Sequence, residues 1–207
     1  LLRRGGGKAA QTSDQTEKAE TAAHGIEAVS DLLRVDPIEM EIGYALVPMV
    51  DQGEQSGLLA RITAVRRQIA LELGVVVPAI RVRDNLQLGP STYVIKIRGQ
   101  EVARATVKPG RCLAMPTGQA AGELEGESTT EPAFGLPALW IAPAQRDRAE
   151  VQGYTVVDTA AVITTHLAEV LKAHAGTILT RQDVHELLNH VKAENAAVVE
   201  ELVPNLL

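Results

Sequence analysis

Aromatic side chains are scarce in this chain of 207 residues, which holds one Phe, one Trp and three Tyr. Cysteine is scarcer: Cys112 stands alone, so no internal disulfide can form and nothing calls for an oxidising compartment. The same lone thiol excludes paired-cysteine redox motifs and cysteine-rich zinc sites. A basic surplus is missing as well. The net charge of −6 argues against a general nucleic-acid binder, which needs a positive field to neutralise phosphates. No apolar run approaches the ~18 residues of a membrane span, and no signal-peptide core is visible. What remains is a 45% hydrophobic composition, enough for a packed core in one or two domains.

The few rings are not scattered. Phe134 and Trp140 both lie in the segment Glu131-Pro-Ala-Phe-Gly-Leu-Pro-Ala-Leu-Trp-Ile141. Pro132, Gly135 and Pro137 break any helix there and predict a fixed turn carrying Phe134, followed by a buried strand Leu139–Ile141. A ring on such a turn, beside acidic Glu131, is either a core anchor or the centre of an interaction patch with a polar rim. The residues alone leave both readings open.

Along the chain, residues 3 to about 25 are rich in Gly, Ala, Gln, Thr and Glu and read as a tether. Ile26, Val29, Leu32 and Leu33 recur at helical spacing up to Asp36-Pro37 and predict a short amphipathic helix that docks on its own chain or a neighbour. Residues 1–37 thus form a linker segment. Glu39 to Val50 alternates and predicts a strand. Leu58, Leu59, Ile62, Val65, Ile69 and Leu73 form a helical stripe closed by Gly74, with Arg61, Arg66 and Arg67 on a charged outer face. Val75 to Arg83 predicts a strand, and Thr92–Val107 a hairpin turning at Arg98-Gly99-Gln100.

Beyond Pro109-Gly110 the composition shifts, and residues 111–157 predict an inserted β-β-α-β subdomain containing a loop-rich stretch at 116–130. Asp158 or Thr159 caps a helix bearing Val162, Ile163, Leu167, Val170 and Leu171. Residues 38–110 and 158–178 then make a first, discontinuous subdomain. From residue 179 a further helical subdomain begins, where Thr180 and Asp183 form a capping box ahead of Val184, Leu187, Leu188 and Val191. The apolar residues around Pro204 have no evident partner, which predicts a truncated domain. The fold class is mixed α/β.

No constellation carries catalysis. His185 and His190 are five apart, turned by about 140° on a helix, whereas a zinc-protease helix needs a spacing of four. His166 and His174 share a helical face without a third ligand. Gly5-Gly-Gly-Lys8 lacks the frame of a phosphate loop, and Glu123 and Glu125 sit where nothing would desolvate them. No metal, cofactor or enzymatic activity is expected. A small α/β metabolite enzyme is the alternative of another class, and titratable groups converging in one cleft would revive it.

Several segments in order resemble the cytoplasmic domain of the export-gate proteins of flagellar and virulence type III secretion, the FHIPEP family. They are Asp36-Pro-Ile-Glu-Met-Glu-Ile-Gly-Tyr-Ala-Leu-Val-Pro48, Leu58 to Asn85, Pro132-Ala-Phe-Gly-Leu-Pro137, Gln152-Gly-Tyr-Thr-Val-Val157, Thr164-Thr-His-Leu167 and Glu201-Leu-Val-Pro204. The likeness spans roughly residues 36 to 207 and is closer to the flagellar branch than to the virulence one. It implies that Leu1-Leu2-Arg3-Arg4 follows a membrane-spanning half, with this part on the cytoplasmic face of the bacterial inner membrane. It also implies a docking platform for flagellar export chaperones with bound substrates, contacts with the export ATPase complex and other apparatus proteins, and a nonameric ring. The docking residues it implies are Glu131 (Asp in the family pattern), Pro132, Phe134 and Thr165, with Val157 and Val162 lining the pocket. The linker positions Ile26, Val29, Leu32 and Leu33 would contact a neighbouring subunit.

Overall fold

The computed structural model describes residues 35–50, 57–118, 124–197 and 199–201. The expectations for Ile26, Val29, Leu32 and Leu33, and for the residues around Pro204, lie outside the described residues.

The first sheet has the order β2-β1-β3-β4, with β1 Ile38–Ile42, β2 Ile80–Asp84, β3 Thr92–Ile97 and β4 Gln100–Thr106. β1 and β2 run parallel, joined through the helix α2 (Leu58–Leu73), and the remaining pairs are antiparallel. In β1 the side chains alternate: Ile38, Met40 and Ile42 are buried, while Glu39 and Glu41 face outward to Arg83 and Lys96. The β3–β4 turn falls at Arg98 and Gly99, whose φ values of 50° and 79° suit a primed two-residue hairpin.

Two strand expectations are corrected. The segment Glu39–Val50 is not one strand: β1 stops at Ile42, Tyr44–Leu46 forms a 3-10 turn, and α1 (Val47–Val50) follows. Gly43 marks the change. Its N–H bonds the Thr92 carbonyl at 2.8 Å, and a Cβ there would stand 2.2 Å from the Gly89 oxygen, so the backbones touch where no side chain fits. Pro48 lies in the first turn of α1, where its missing N–H costs nothing. The strand expected from Val75 begins only at Ile80. Pro78 cannot donate to a ladder, and the Val77 carbonyl accepts from the Arg66 guanidinium at 2.9 Å instead.

The second sheet is antiparallel with the order β6-β7-β5-β8: β5 Cys112–Pro116, β6 Glu127–Thr130, β7 Pro137–Ile141 and β8 Tyr154–Asp158. It carries one strand more than the β-β-α-β expectation. β6 is the short polar run Glu-Ser-Thr-Thr at the sheet's edge, and it has no apolar alternation by which to be recognised. The helix α3 (Arg146–Val151) leads into β8 past Gly153.

The central helix α4 (Thr159–Ala173) buries Val162, Ile163, Leu167, Val170 and Leu171 as its periodicity predicts, and Asp158 caps it through Ala161 N at 2.6 Å. It packs against α2. Arg61 of α2 grips the Asp158 carboxylate with both terminal nitrogens, at 3.1 and 2.8 Å. One core cluster runs through Ile38, Met40, Tyr93 and Ile95 of the first sheet, Leu113, Ala138 and Trp140 of the second, and α4 between them. A short turn α5 (Ala175–Ile178) leads to α6 (Arg181–Glu194). That helix starts at the expected Thr180–Asp183 capping box, and none of its residues is buried.

Candidate interaction site

Glu131 begins a turn that closes on itself. Its carboxylate accepts from Ala133 N at 2.9 Å and from Phe134 N at 2.7 Å, as a cap residue does at a helix start. Pro132 occupies the first position of this turn, where its fixed φ is suitable. Gly135 ends the turn at φ +69°, donating to the Glu131 carbonyl at 2.9 Å, and Glu131 N donates to Leu136 O at 2.8 Å. A residue with a Cβ would be strained at Gly135 although nothing stands within 4 Å of it.

The product is an outward knob. Phe134 is 59% exposed and Leu136 next to it 49%, whereas Trp140, four residues further on, is 3% exposed. Of the two readings left open for Phe134, the structure excludes the core. Glu131 differs from its expected place at the rim: it is 3% exposed, and its oxygens are turned inward onto the turn's own N–H groups. The reason is geometric. A capping carboxylate must lie beneath the turn to reach the two donors.

The other implied residues separate into layers. Thr165 of α4 is exposed, Val157 of β8 and Pro132 are half-buried, and Val162 lies wholly within the core. Val162 is therefore a core residue and lines no surface. Two residues outside the expected docking set form a buried polar pair. His166, beside Thr165, takes its Nδ1 to 2.8 Å from the buried Tyr93 hydroxyl, with the rings edge to face at 5.8 Å. Glu131 lies near enough to act on both by its charge. Burial pushes the Tyr93 phenol far above its usual range, and the Glu131 carboxylate adds to this. Burial also lowers His166 below the ordinary imidazole value, with Glu131 opposing. The only sequence signal for this pairing was a polar Tyr on the inward phase of an otherwise aliphatic strand.

A cavity of about 320 Å³ lies elsewhere, lined by residues including Arg61, Arg111, Cys112 and Asp158. It meets the formal condition of titratable groups converging in a cleft. Asp158 there binds Arg61 and caps α4, so both of its oxygens are engaged in holding the two helices. Among the described residues no cluster of His, Cys, Asp and Glu could hold a metal ion, and no helix is long and apolar enough to cross a membrane.

The FHIPEP family matches residues 3–207. The flagellar biosynthesis protein FlhA of Bacillus subtilis is 46% identical over 179 residues, covering 86% of this chain and 26% of that protein. The chain thus spans about a quarter of the length of the curated relative. The fold is shared with the Chlamydia pneumoniae CdsV protein (TM-score 0.69, 20% identity, 83% of this chain and 52% of that one), which is also known in complex with CdsO. It is shared too with nonameric SctV-C of EPEC (TM-score 0.57, 15% identity, 82% of this chain and 49% of that one).

Proposed function

The chain belongs to the FHIPEP family, and from that premise we propose that it is the docking part of a flagellar type III export gate. Its surface receives export chaperones carrying their substrates and delivers those substrates towards the membrane channel. The observation that carries this reading is the Phe134 knob. An aromatic ring and a leucine are presented to solvent by a turn whose every closing bond is internal, in a chain with only one Phe. Exposed rings on fixed turns are the usual anchors of interfaces. An amphipathic chaperone helix would set an apolar anchor against Phe134 and Leu136, with Thr165 as polar neighbour.

In this reading Glu131 acts from below by holding the turn, and Val157 and Val162 shape the floor. The 39–46% identities to flagellar proteins favour the flagellar branch over the virulence one. The nonameric state of the EPEC relative supports a ring for the whole protein on the cytoplasmic face of the inner membrane. Ile26, Val29, Leu32 and Leu33 would contact the neighbouring subunit there, and the export ATPase complex would be a further partner. No catalytic role is assigned.

Titration calorimetry of purified chaperone–substrate complexes against the wild-type chain and Phe134→Ala tests the proposal. Binding lost in a folded variant supports it. Equal binding by both removes Phe134 from the site.

A further inference from the structure

Among the described residues the two sheets leave four edge strands, β2 and β4 in the first and β6 and β8 in the second. An open edge is a row of unpaired N–H and C=O groups, and proteins usually blunt it. Three of these edges are blunted. β2 alternates Arg81 and Arg83 with its apolar residues and ends at Asp84, and both arginines reach Asp36. β4 carries Glu101 and Arg104, and its register slips opposite Ile95 and Lys96. β8 is covered by α3, whose Arg146 guanidinium donates to the Val156 carbonyl at 3.2 Å. β6 has none of these devices. Its run Glu127-Ser-Thr-Thr130 holds no Lys, Arg or Pro, keeps a regular register with β7, and has its one charge tied to Lys108.

The hairpin bonds fix which main-chain groups of β6 face outward. Glu131 N–H donates to Leu136 O at 2.8 Å, and the pairs continue from there as Thr130–Pro137, Thr129–Ala138 and Ser128–Leu139. In an antiparallel pair, residues alternate between bonding the partner strand and facing away from it. Thr129 therefore turns its N–H and C=O to Ala138, while Ser128 and Thr130 turn theirs outward. Pro137 agrees, since opposite an outward-facing Thr130 it needs no N–H. Ser128 and Thr130 are exposed, and among the described residues β6 pairs with β7 alone.

We propose that β6 receives an extended, unfolded polypeptide segment by strand addition, on the N–H and C=O groups of Ser128 and Thr130. The spacing selects this occupant: outward groups at every second residue match another strand, whereas a helix has spent its main-chain groups on itself. Pairing through the main chain reads little sequence. Two residues supply only two donors and two acceptors, so the hold is weak and tolerant of varied segments. β6 runs directly into the Phe134 turn, so an added segment ends at the proposed docking site. That the segment is export cargo rests on the docking reading above; the strand addition rests on the edge alone.

The probe is a fluorescein-labelled peptide of about ten residues, alternating Thr and Val between terminal lysines. Added to the full chain, it should slow hydrogen exchange of the Ser128 and Thr130 amides several-fold, read by NMR, and leave Thr129 little changed. Ser128→Pro removes an outward donor and keeps the inward ladder, as a proline on an edge strand can. It should hold the urea midpoint near the wild-type value and lower peptide affinity, read by fluorescence anisotropy, at least several-fold. Thr130→Pro should act alike, which keeps the test decisive where one variant fails to fold. A peptide that does not bind overturns the inference. So does binding that leaves the two amides unprotected, or binding unchanged in a folded proline variant. Protection that rises with protein concentration in the absence of peptide overturns it too, because the edge then belongs to a second copy of this chain. If Phe134→Ala leaves chaperone docking intact while the peptide still protects Ser128 and Thr130, the docking reading fails and the strand addition stands.

Discussion

The turn Glu131–Leu136 and the strand Pro137–Ile141 are adjacent in sequence and opposite in physical character. The strand is held by what surrounds it: Ala138, Trp140 and Ile141 are buried, and β5 and β6 flank it. The turn is held by its own bonds, while its largest side chain faces water. Two aromatic rings six positions apart therefore do different work. Trp140 contributes apolar burial to the fold. Phe134 contributes far less and keeps most of its surface in solvent.

The sharpest way to break this contrast is to truncate both rings. Trp140→Ala should cost about 3–5 kcal/mol of unfolding free energy, as removal of a buried Trp does, read as a large drop in the urea midpoint. Phe134→Ala should change stability by less than about 0.5 kcal/mol while weakening chaperone docking by about 2 kcal/mol or more in calorimetry. Similar unfolding losses in the two variants would erase the distinction. Glu131→Ala tests whether the turn depends on its cap. It should lower stability by about 1 kcal/mol in denaturant titration and reduce docking more than that loss explains, because Phe134 is no longer held.

The smallest effect expected is a pH dependence at the buried Tyr93–His166 pair. His166 has a native value below its unfolded one, so its contribution is complete above about pH 6.5 and is lost as pH falls through the lowered native value. Urea midpoints at pH 7.5 and 5.5 should differ more in the wild type than in His166→Gln. An equal difference in both would remove His166 from the balance.

The two regions also differ in how far the sequence revealed them. Helices α2 and α4 were legible because apolar residues recur with the helical period and because Gly74 and Asp158 mark their ends. The turn could be read from Pro132, Gly135 and Pro137, but the direction of Phe134 could not, since a turn can present its ring to either side. β6 was hidden because a polar edge strand has no apolar alternation. The helical run after Ile42 was hidden because Gly43 acts through a backbone contact with Gly89, which no local pattern encodes. The Tyr93–His166 pair was out of reach for the same reason: its members stand 73 positions apart. The resemblance named Glu131 and Val162 but carried no sign of their depth, which depends on tertiary packing.

The core cluster that threads both sheets and α4 has a consequence for how the protein opens. Amides of β1, β3, β5 and β7 cannot exchange with solvent one sheet at a time, because Tyr93 and Trp140 belong to the same packed unit. They are expected to share one protection level, which hydrogen exchange would read. The helix α6, with no buried residue, exchanges through local opening that leaves the rest closed. The Phe134 turn leads directly into β7, whose Trp140 belongs to that packed unit.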